Sequence, residues 1–133
     1  MPSKAFLHLT VEGVVAIHGV VLKAHGGSPG VRDQALLESA VAAPQATFAG
    51  ESLMKDGLEI AAAYLFYLCR NHAFVDGNKR TAAAAAISFL TTNGVQFPKD
   101  DGSVYRAMIE IANKQLDKIG LANVLRRLSG NTR

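Results

Sequence analysis

The sequence predicts an all-α protein, folded as a single compact bundle of about six helices. Apolar residues recur at helical spacing through most of the chain, and residues that cap helices stand before these segments while Gly or Pro follows them. The 133 residues contain no internal repeat, low-complexity tract or linker that would divide them. We therefore expect one domain over residues 1–133, which is long enough to bury a hydrophobic core.

Two helices are predicted in the first third of the chain. Thr10 is placed to cap a helix that continues to about Ala24 and ends at Gly26–Gly27. The next segment, GGSPGVR, is a loop by its glycines and proline. Asp33 then caps a short helix that Pro44 stops. The apolar face of this helix consists of Leu36, Leu37, Ala40 and Val41.

The middle of the chain predicts two longer helices. From about Gly57 to Asn71, apolar residues recur at helical spacing. The segment from Lys79 to about Asn93 is apolar on nearly all sides, and Gly94 closes it. A helix of this kind is usually central and buried, and its run Ala82 to Ala86 would let neighbouring helices approach closely.

The last third of the chain predicts two further helices. The stretch VQFP (95–98) is compatible with a short extended piece, and Pro98 argues against a central strand there. Helices over about Gly102–Asn113 and Asp117–Leu128 follow, before a polar tail.

Composition narrows the class of protein. A hydrophobic content of 49% with 19% charged residues is typical of a soluble globular protein and excludes a disordered one. The start, MPSKAFLHLT, lacks the apolar segment of a secretory leader, and no apolar stretch is long enough to span a membrane. The single cysteine, Cys69, excludes an internal disulfide and fits a reducing compartment. We expect a cytoplasmic protein.

The net charge of +3 is spread unevenly. Residues 1–70 carry five Lys/Arg and six Asp/Glu, whereas residues 71–133 carry nine and five. A basic half is compatible with a nucleic-acid surface, with a site for a smaller anion such as a nucleotide, or with a solvated basic face.

The stretch HAFVDGNKRT (72–81) begins the basic half and concentrates polar chemistry before the most apolar helix. His72 follows a predicted helix, where an imidazole can face a cleft and act as a general base. Asp76 offers the hard oxygen ligands that Mg²⁺ takes together with phosphate oxygens. Gly77 permits backbone conformations in which successive N–H groups converge on an anion.

Asn78, Lys79 and Arg80 fall in the first turn of that helix, where unpaired amides and the helix dipole favour a phosphate. Two cations there are unfavourable unless an anion binds between them. Phe74 is expected to pin the loop to the core. The alternative is an Asp-Gly turn before a solvated helix start, with a structural His72. Taken as one constellation, the stretch predicts a nucleoside triphosphate site with a general base, which transfers part of the nucleotide to a hydroxyl.

HAFVDGNKR also resembles the signature of the Fic superfamily, His-x-Phe-x-(Asp/Glu)-Gly-Asn-(Gly/Lys)-Arg, at every specified position. The flanking GSPGVRDQALLESAVAAPQATF and RTAAAAAISFLTTNG resemble its death-on-curing (Doc) branch, so the likeness covers most of residues 10–95. Most adenylyl-transferring members carry Gly where this chain has Lys79 and a second Arg where it has Ala83. Both departures resemble the Doc branch.

The resemblance implies a Fic/Doc bundle with the motif loop at the N-terminus of a central buried helix. It implies a toxin of a type II toxin–antitoxin pair that moves the γ-phosphate of ATP to a threonine or serine hydroxyl of a translation factor such as elongation factor Tu, arresting translation. ATP would bind in the reverse sense, γ-phosphate towards the base. The resemblance implies that His72 is the general base, that Asp76 holds Mg²⁺ and that Phe74 is structural. The phosphates would be bound by Gly77, Asn78, Lys79 and Arg80.

The poor match to a self-inhibitory segment indicates which partner to expect. Self-inhibited members of the superfamily carry a helix with (Ser/Thr)-x-x-x-Glu-(Gly/Asn), and the nearest match here, Thr47 to Glu51 followed by Ser52, is poor and loop-like. We therefore expect an antitoxin in trans, with a disordered tail that folds on binding.

The alternative functions are AMP transfer to a protein hydroxyl and a basic module that binds nucleic acid. Against the last stands the lack of aromatic interleaving or a helix–turn–helix pattern.

The remaining polar residues carry weaker signals. The other histidines (His8, His18 and His25) are expected to be structural, and Cys69 to be packed. Arg32 either borders a substrate groove or is solvated, and Arg126–Arg127 is expected on an exposed helix face. His72 and Asp76 lack the third ligand that a transition-metal site needs.

Overall fold

The computed structural model describes residues 6–48, 51–52, 56–95, 102–114 and 117–128, and these are helical apart from loops and one short hairpin. The prediction of an all-α fold with about six helices is confirmed. That residues 1–133 form a single domain stays a prediction. The helices are α1 (Val11–His25), α2 (Gln34–Ala42), α3 (Gly57–Asn71), α4 (Asn78–Thr92), α5 (Ser103–Asn113) and α6 (Lys118–Leu128).

Side chains cap the first three helices. Oxygens of Thr10, Asp33 and Asp56 each accept a hydrogen bond from the backbone N–H three residues later. The first two caps were predicted, and Asp56 was not. Asp56 also forms a salt bridge with Arg126, whose side chain is 34% exposed. Arg127 next to it is exposed, in keeping with the expected exposed helix face. Gly26, with φ 80°, ends α1 as predicted.

The chain between α2 and α3 differs from the prediction. A 3₁₀ turn, Ala43–Gln45, follows α2 and contains the buried Pro44. Two-residue strands, β1 (Thr47–Phe48) and β2 (Glu51–Ser52), then pair in antiparallel fashion. The described residues of the nearest match to a self-inhibitory helix therefore lie in paired strands and not in a helix. The predicted extended piece at 95–98 falls almost entirely outside the described residues. No described helix has the length and apolarity that crossing a membrane requires.

The helix α4 lies in the middle of the bundle, as predicted. It packs most extensively against α3 and also contacts α1 and α5. Most side chains on its buried face are small, which allows the backbones of neighbouring helices to approach closely. One hydrophobic cluster joins buried residues of all six helices. The start of α4 is therefore anchored in the core, and it anchors the motif loop (residues 72–77) that connects it to α3. The fully buried alanines of α4 are Ala82, Ala83, Ala85 and Ala86.

The segment before α1 is tied to the core through Tyr64, which is completely buried. The phenol oxygen of Tyr64 accepts a hydrogen bond from Leu9 N at 3.1 Å and lies 3.0 Å from His8 Nδ1. Because the phenol already accepts from Leu9, its own hydrogen is available to His8. Burial lowers the pKa of His8, so the folded protein favours the neutral imidazole.

This arrangement predicts that acid weakens the fold through His8. The unfolded chain takes up the His8 proton near pH 6.5, whereas the folded chain takes it up only at lower pH. The contribution to stability is therefore complete above about pH 6.5 and is lost as the pH falls through the folded pKa. Melting temperatures between about pH 7.5 and 5 should fall more steeply for the wild type than for His8→Gln. Equal slopes would contradict the prediction, and His25→Gln, at an exposed histidine, is the control.

Candidate functional site

The motif loop begins at an unusual backbone position. His72 ends α3 with φ 53° and ψ 48°, in the left-handed region, and it is the only residue other than glycine with positive φ among those the structure describes. Its side chain is exposed. A left-handed non-glycine residue costs about 1–3 kcal/mol and persists only where neighbours hold it. The following contacts supply that restraint.

Asn78, the first residue of α4, organises the loop with its side chain. Its Oδ1 accepts from Phe74 N and its Nδ2 donates to Phe74 O, both at 2.9 Å. Nδ2 also lies 3.4 Å from His72 Nδ1, so the imidazole rests against this amide. Since the side chain of Asn78 is 6% exposed and occupied by the loop, the group that it offers to an anion is its backbone N–H.

Phe74 holds the centre of the loop in the core. It is 2% exposed, and the ring of His18 stacks on it with centroids 3.9 Å apart and planes 9° from parallel. His18 Nε2 also donates to Asp76 O at 2.8 Å, which requires a hydrogen on that nitrogen. Sequence reasoning did not connect His18 to the site. The spacing of His18 from Val14 and Val21 places all three on one face of α1, and this face is buried. That spacing was the available sequence signal.

Asp76 carries the carboxylate of the site. Its Oδ1 accepts from Gly77 N at 2.9 Å and its Oδ2 from Ser28 N at 3.2 Å, while the side chain stays exposed. Each oxygen keeps a further lone pair for a cation. Within the described ranges no group of three or more His, Cys, Asp or Glu could hold a metal. A carboxylate of this kind is a hard oxygen ligand, and Mg²⁺ is commonly bound by one or two carboxylates with phosphate oxygens and water.

Gly77 sets the start of α4. It has φ 77° and ψ 21°, and a Cβ there would approach Leu22 Cδ2 to 3.3 Å, so both conformation and space favour glycine. No side chain caps α4, which leaves the N–H groups of its first turn available. The exposed side chains of Lys79 and Arg80 add two positive charges at the positive end of the helix. We call residues 78–80 the anion-binding turn.

Two residues outside the motif contact the anion-binding turn. Arg80 Nη1 lies 3.2 Å from His25 Nδ1, and Tyr105 donates its hydroxyl to Arg80 O at 3.4 Å. The rings of His25 and Tyr105 are nearly parallel, with centroids 6.2 Å apart. Neither His25 nor Tyr105 had a sequence signal for this site.

Cys69 lies near the site but is packed, as expected. Burial raises the pKa of its thiol, and the charge of Lys79 offsets part of this rise.

The predicted loop GGSPGVR lies against the motif loop. Arg32 N and Asp33 N both donate to Ala73 O, at 2.7 and 3.0 Å, and Val75 N donates to Gly30 O at 3.0 Å. An isolated antiparallel bridge pairs residues 31 and 74. We call residues 28–33 the bracing segment. It holds the motif loop through these backbone hydrogen bonds.

The side chain of Arg32 extends this brace to the end of α3. Its Nε donates to His72 O at 2.8 Å, and its Nη2 donates to Asn71 O at 3.4 Å. The seven residues predicted for the site thus lie together, with His72, Phe74 and Asn78 in direct contact. The contacts of the bracing segment, His18, His25 and Tyr105 are additions that the structure supplies.

Comparison with known proteins gives concordant matches. Residues 8–90 match the model of the Fic/DOC family. The chain is 50% identical over 102 residues to the protein named Toxin Doc from Mycolicibacterium smegmatis, covering 74% of this chain and 78% of the relative. It is 35% identical over 124 residues to the protein named Protein kinase doc from Escherichia phage P1, covering 93% and 97%.

Proposed function

We propose that this chain, which belongs to the Fic/DOC family, is a Doc-type toxin that transfers the γ-phosphate of ATP to a hydroxyl group of a protein. The observation that carries the proposal is the placement of an exposed imidazole, His72, beside an uncapped helix start with two cations. The relatives named as a toxin and as a protein kinase support the same function.

Phosphate binding is the first task of the site. The N–H groups of the anion-binding turn and the side chains of Lys79 and Arg80 are donors at the positive end of α4. They would hold the β- and γ-phosphates and neutralise their charge. Phosphoryl transfer depends mainly on such positioning and on stabilisation of charge.

Proton removal is the second task. The unprotonated nitrogen of the His72 imidazole accepts the proton of the target's threonine or serine hydroxyl. The hydroxyl oxygen then forms a bond to the γ-phosphorus, the bond from that phosphorus to the bridging oxygen breaks, and ADP leaves. Asn78, which touches the imidazole at Nδ1, fixes where the ring lies during this step.

Asp76 would hold Mg²⁺ together with the phosphate oxygens and water. The ion, when bound, neutralises negative charge on the phosphates. Asp76 itself is oriented by the backbone N–H groups of Ser28 and Gly77, so the carboxylate is already placed before any cation arrives.

Two positions favour phosphate transfer over transfer of AMP. Lys79 puts a cation where most adenylyl-transferring members of the family have glycine, which adds a donor and narrows the space for the nucleotide. Position 83 carries a completely buried alanine where most adenylyl-transferring members have a second arginine, so that arginine is not there to clamp a phosphate. Both features favour ATP bound with its γ-phosphate next to His72.

The biological setting is part of the proposal. We propose a cytoplasmic toxin that modifies a translation factor such as elongation factor Tu. Because the described residues of the match to the self-inhibitory helix lie in paired strands, inhibition would come from an antitoxin whose tail folds on binding. Lys79 and Arg80 of the basic half serve the phosphates of ATP, and we do not propose direct binding of nucleic acid.

The test is the mass of the modified target. The wild-type protein is incubated with ATP, Mg²⁺ and either purified elongation factor Tu or a translation extract. The mass of one target protein should then increase by that of a phosphate group. Lys79→Gly should lower the rate by about 10-fold or more, because hydrogen bonds to charged groups contribute ~1.5–3 kcal/mol. A nucleotide-sized addition by the wild type would overturn the kinase proposal. ATP labelled at the γ- or the α-phosphate gives an independent control.

A further inference from the structure

We propose that Arg32 is a positioning residue for His72, acting through the last carbonyl groups of α3 and touching neither the nucleotide nor the target. This inference rests on the proposed function, since it concerns the base of that reaction. The role is distinct from the two that the sequence left open for Arg32, which were a border of the substrate groove and a solvated side chain.

The first argument is the geometry of the guanidinium group. Its Nε and Nη2 donate to two successive carbonyls, His72 O and Asn71 O, at 2.8 and 3.4 Å. The last four carbonyls of a helix lack partners within the helix, and a cation there interacts favourably with the helix dipole. The planar fork of arginine can serve two such acceptors at once, which an ammonium group cannot do with fixed geometry.

The second argument is the conformation that these bonds hold. His72 is left-handed, a conformation that is unfavourable for a residue other than glycine. The direction of the imidazole depends on this backbone, because φ and ψ fix where Cβ points. Arg32 restrains the carbonyl of His72, and Asn78 contacts its ring at 3.4 Å. With the Arg32 side chain gone, the neighbours Asn71 and Ala73 stay anchored, but among the side-chain contacts described only that with Asn78 still reaches His72 itself.

The third argument is that Arg32 is itself fixed by the loop on which it acts. Its backbone N–H donates to Ala73 O at 2.7 Å, and the neighbouring Val31 pairs with Phe74. Asn71, at the other end of the contact, is anchored by its side chain to Leu36 O at 2.9 Å. Truncating the exposed Arg32 side chain leaves all of these bonds in place. Its loss should therefore act on His72 and not on the fold.

The experiment compares Arg32→Ala, Arg32→Lys and the matched control Arg127→Ala, which removes an exposed arginine from α6. Arg32→Ala should lower kcat for phosphate transfer by about 10- to 100-fold, since small displacements of a reacting group cost that much. The KM values for ATP and for the target should not change. Either Arg32→Lys or added guanidinium should restore part of kcat. Arg127→Ala should match the wild type, and all three variants should melt near the wild-type temperature.

A second readout reports on His72 without turnover. The Cα and Cβ chemical shifts of His72 should be those of a left-handed residue in the wild type and should move towards averaged values in Arg32→Ala. If the wild type transferred no phosphate, the proposed function would fail while these shifts still tested the inference. An unchanged kcat, a raised KM for either substrate, unchanged His72 shifts, or no recovery with lysine and guanidinium would each overturn it.

Discussion

His72→Ala should end growth arrest and lower phosphate transfer by roughly 10²–10⁴-fold, the usual cost of removing a general base. His72 is the exposed imidazole of the motif loop, held next to the anion-binding turn. The other imidazole that contacts this loop, His18, is buried, and its Nε2 is engaged with Asp76 O. We therefore expect no other imidazole of the described loop to take over the proton.

The backbone of His72 calls for a second variant. Alanine is less tolerant of the left-handed region than asparagine, so His72→Ala changes both the base and the local strain. His72→Asn keeps the conformation and removes the base, and it should be as inactive as His72→Ala while melting closer to the wild type. Both variants should still bind the antitoxin. A fully toxic His72→Asn would exclude His72 as the base, and His8→Gln, far along the sequence from the motif, should keep its activity.

Features of local origin could be predicted from the sequence. The caps Thr10 and Asp33 act on amides three residues away, and the bounds of α3, Gly57 to Asn71, were predicted as observed. The motif residues are contiguous, so their clustering at the start of α4 needed only the position of that helix. Such features depend on spacing along the chain, which the sequence displays directly.

The contacts that shape the loop could not be predicted, because packing creates them. The pairs His18–Asp76, Arg32–His72 and Arg80–His25 are separated by 58, 40 and 55 positions. No periodicity or motif relates such partners. They meet only when α1, the loop that follows it and the end of α3 pack beside the motif loop and α4. The same holds for the role of the Asn78 side chain, whose burial follows from the tertiary fold.

The polar residues at the mouth of α4 therefore divide into two groups. Phe74 and Asn78 face inwards and build the loop, whereas His72, Lys79 and Arg80 stay exposed around the positive end of the helix. Burial of the first group fixes the positions of the second. This division explains how a highly apolar helix can begin with concentrated polar chemistry without losing its core packing.

Asp76 belongs to both groups, since its oxygens accept two backbone N–H groups and still face solvent. Truncation to alanine would remove the loop bonds together with the charge, and loss of activity would not identify the cause. Asp76→Asn is the sharper change, because its amide oxygen can still accept one of the two N–H groups. The remaining difference is chiefly the negative charge that a magnesium ion requires.

Asp76→Asn should abolish the dependence of ATP binding on Mg²⁺ and lower phosphate transfer by about 100-fold or more. Even residues that only support a metal ligand cost 10- to 100-fold when replaced, so loss of the carboxylate ligand should cost at least the upper value. Calorimetry of ATP binding with and without Mg²⁺ measures the effect. Asp117→Asn is the matched control, because Asp117 is a carboxylate that accepts a backbone N–H at the start of α6, and it should behave as the wild type. An Asp76→Asn variant that binds ATP with unchanged Mg²⁺ dependence would show that the ion is held elsewhere.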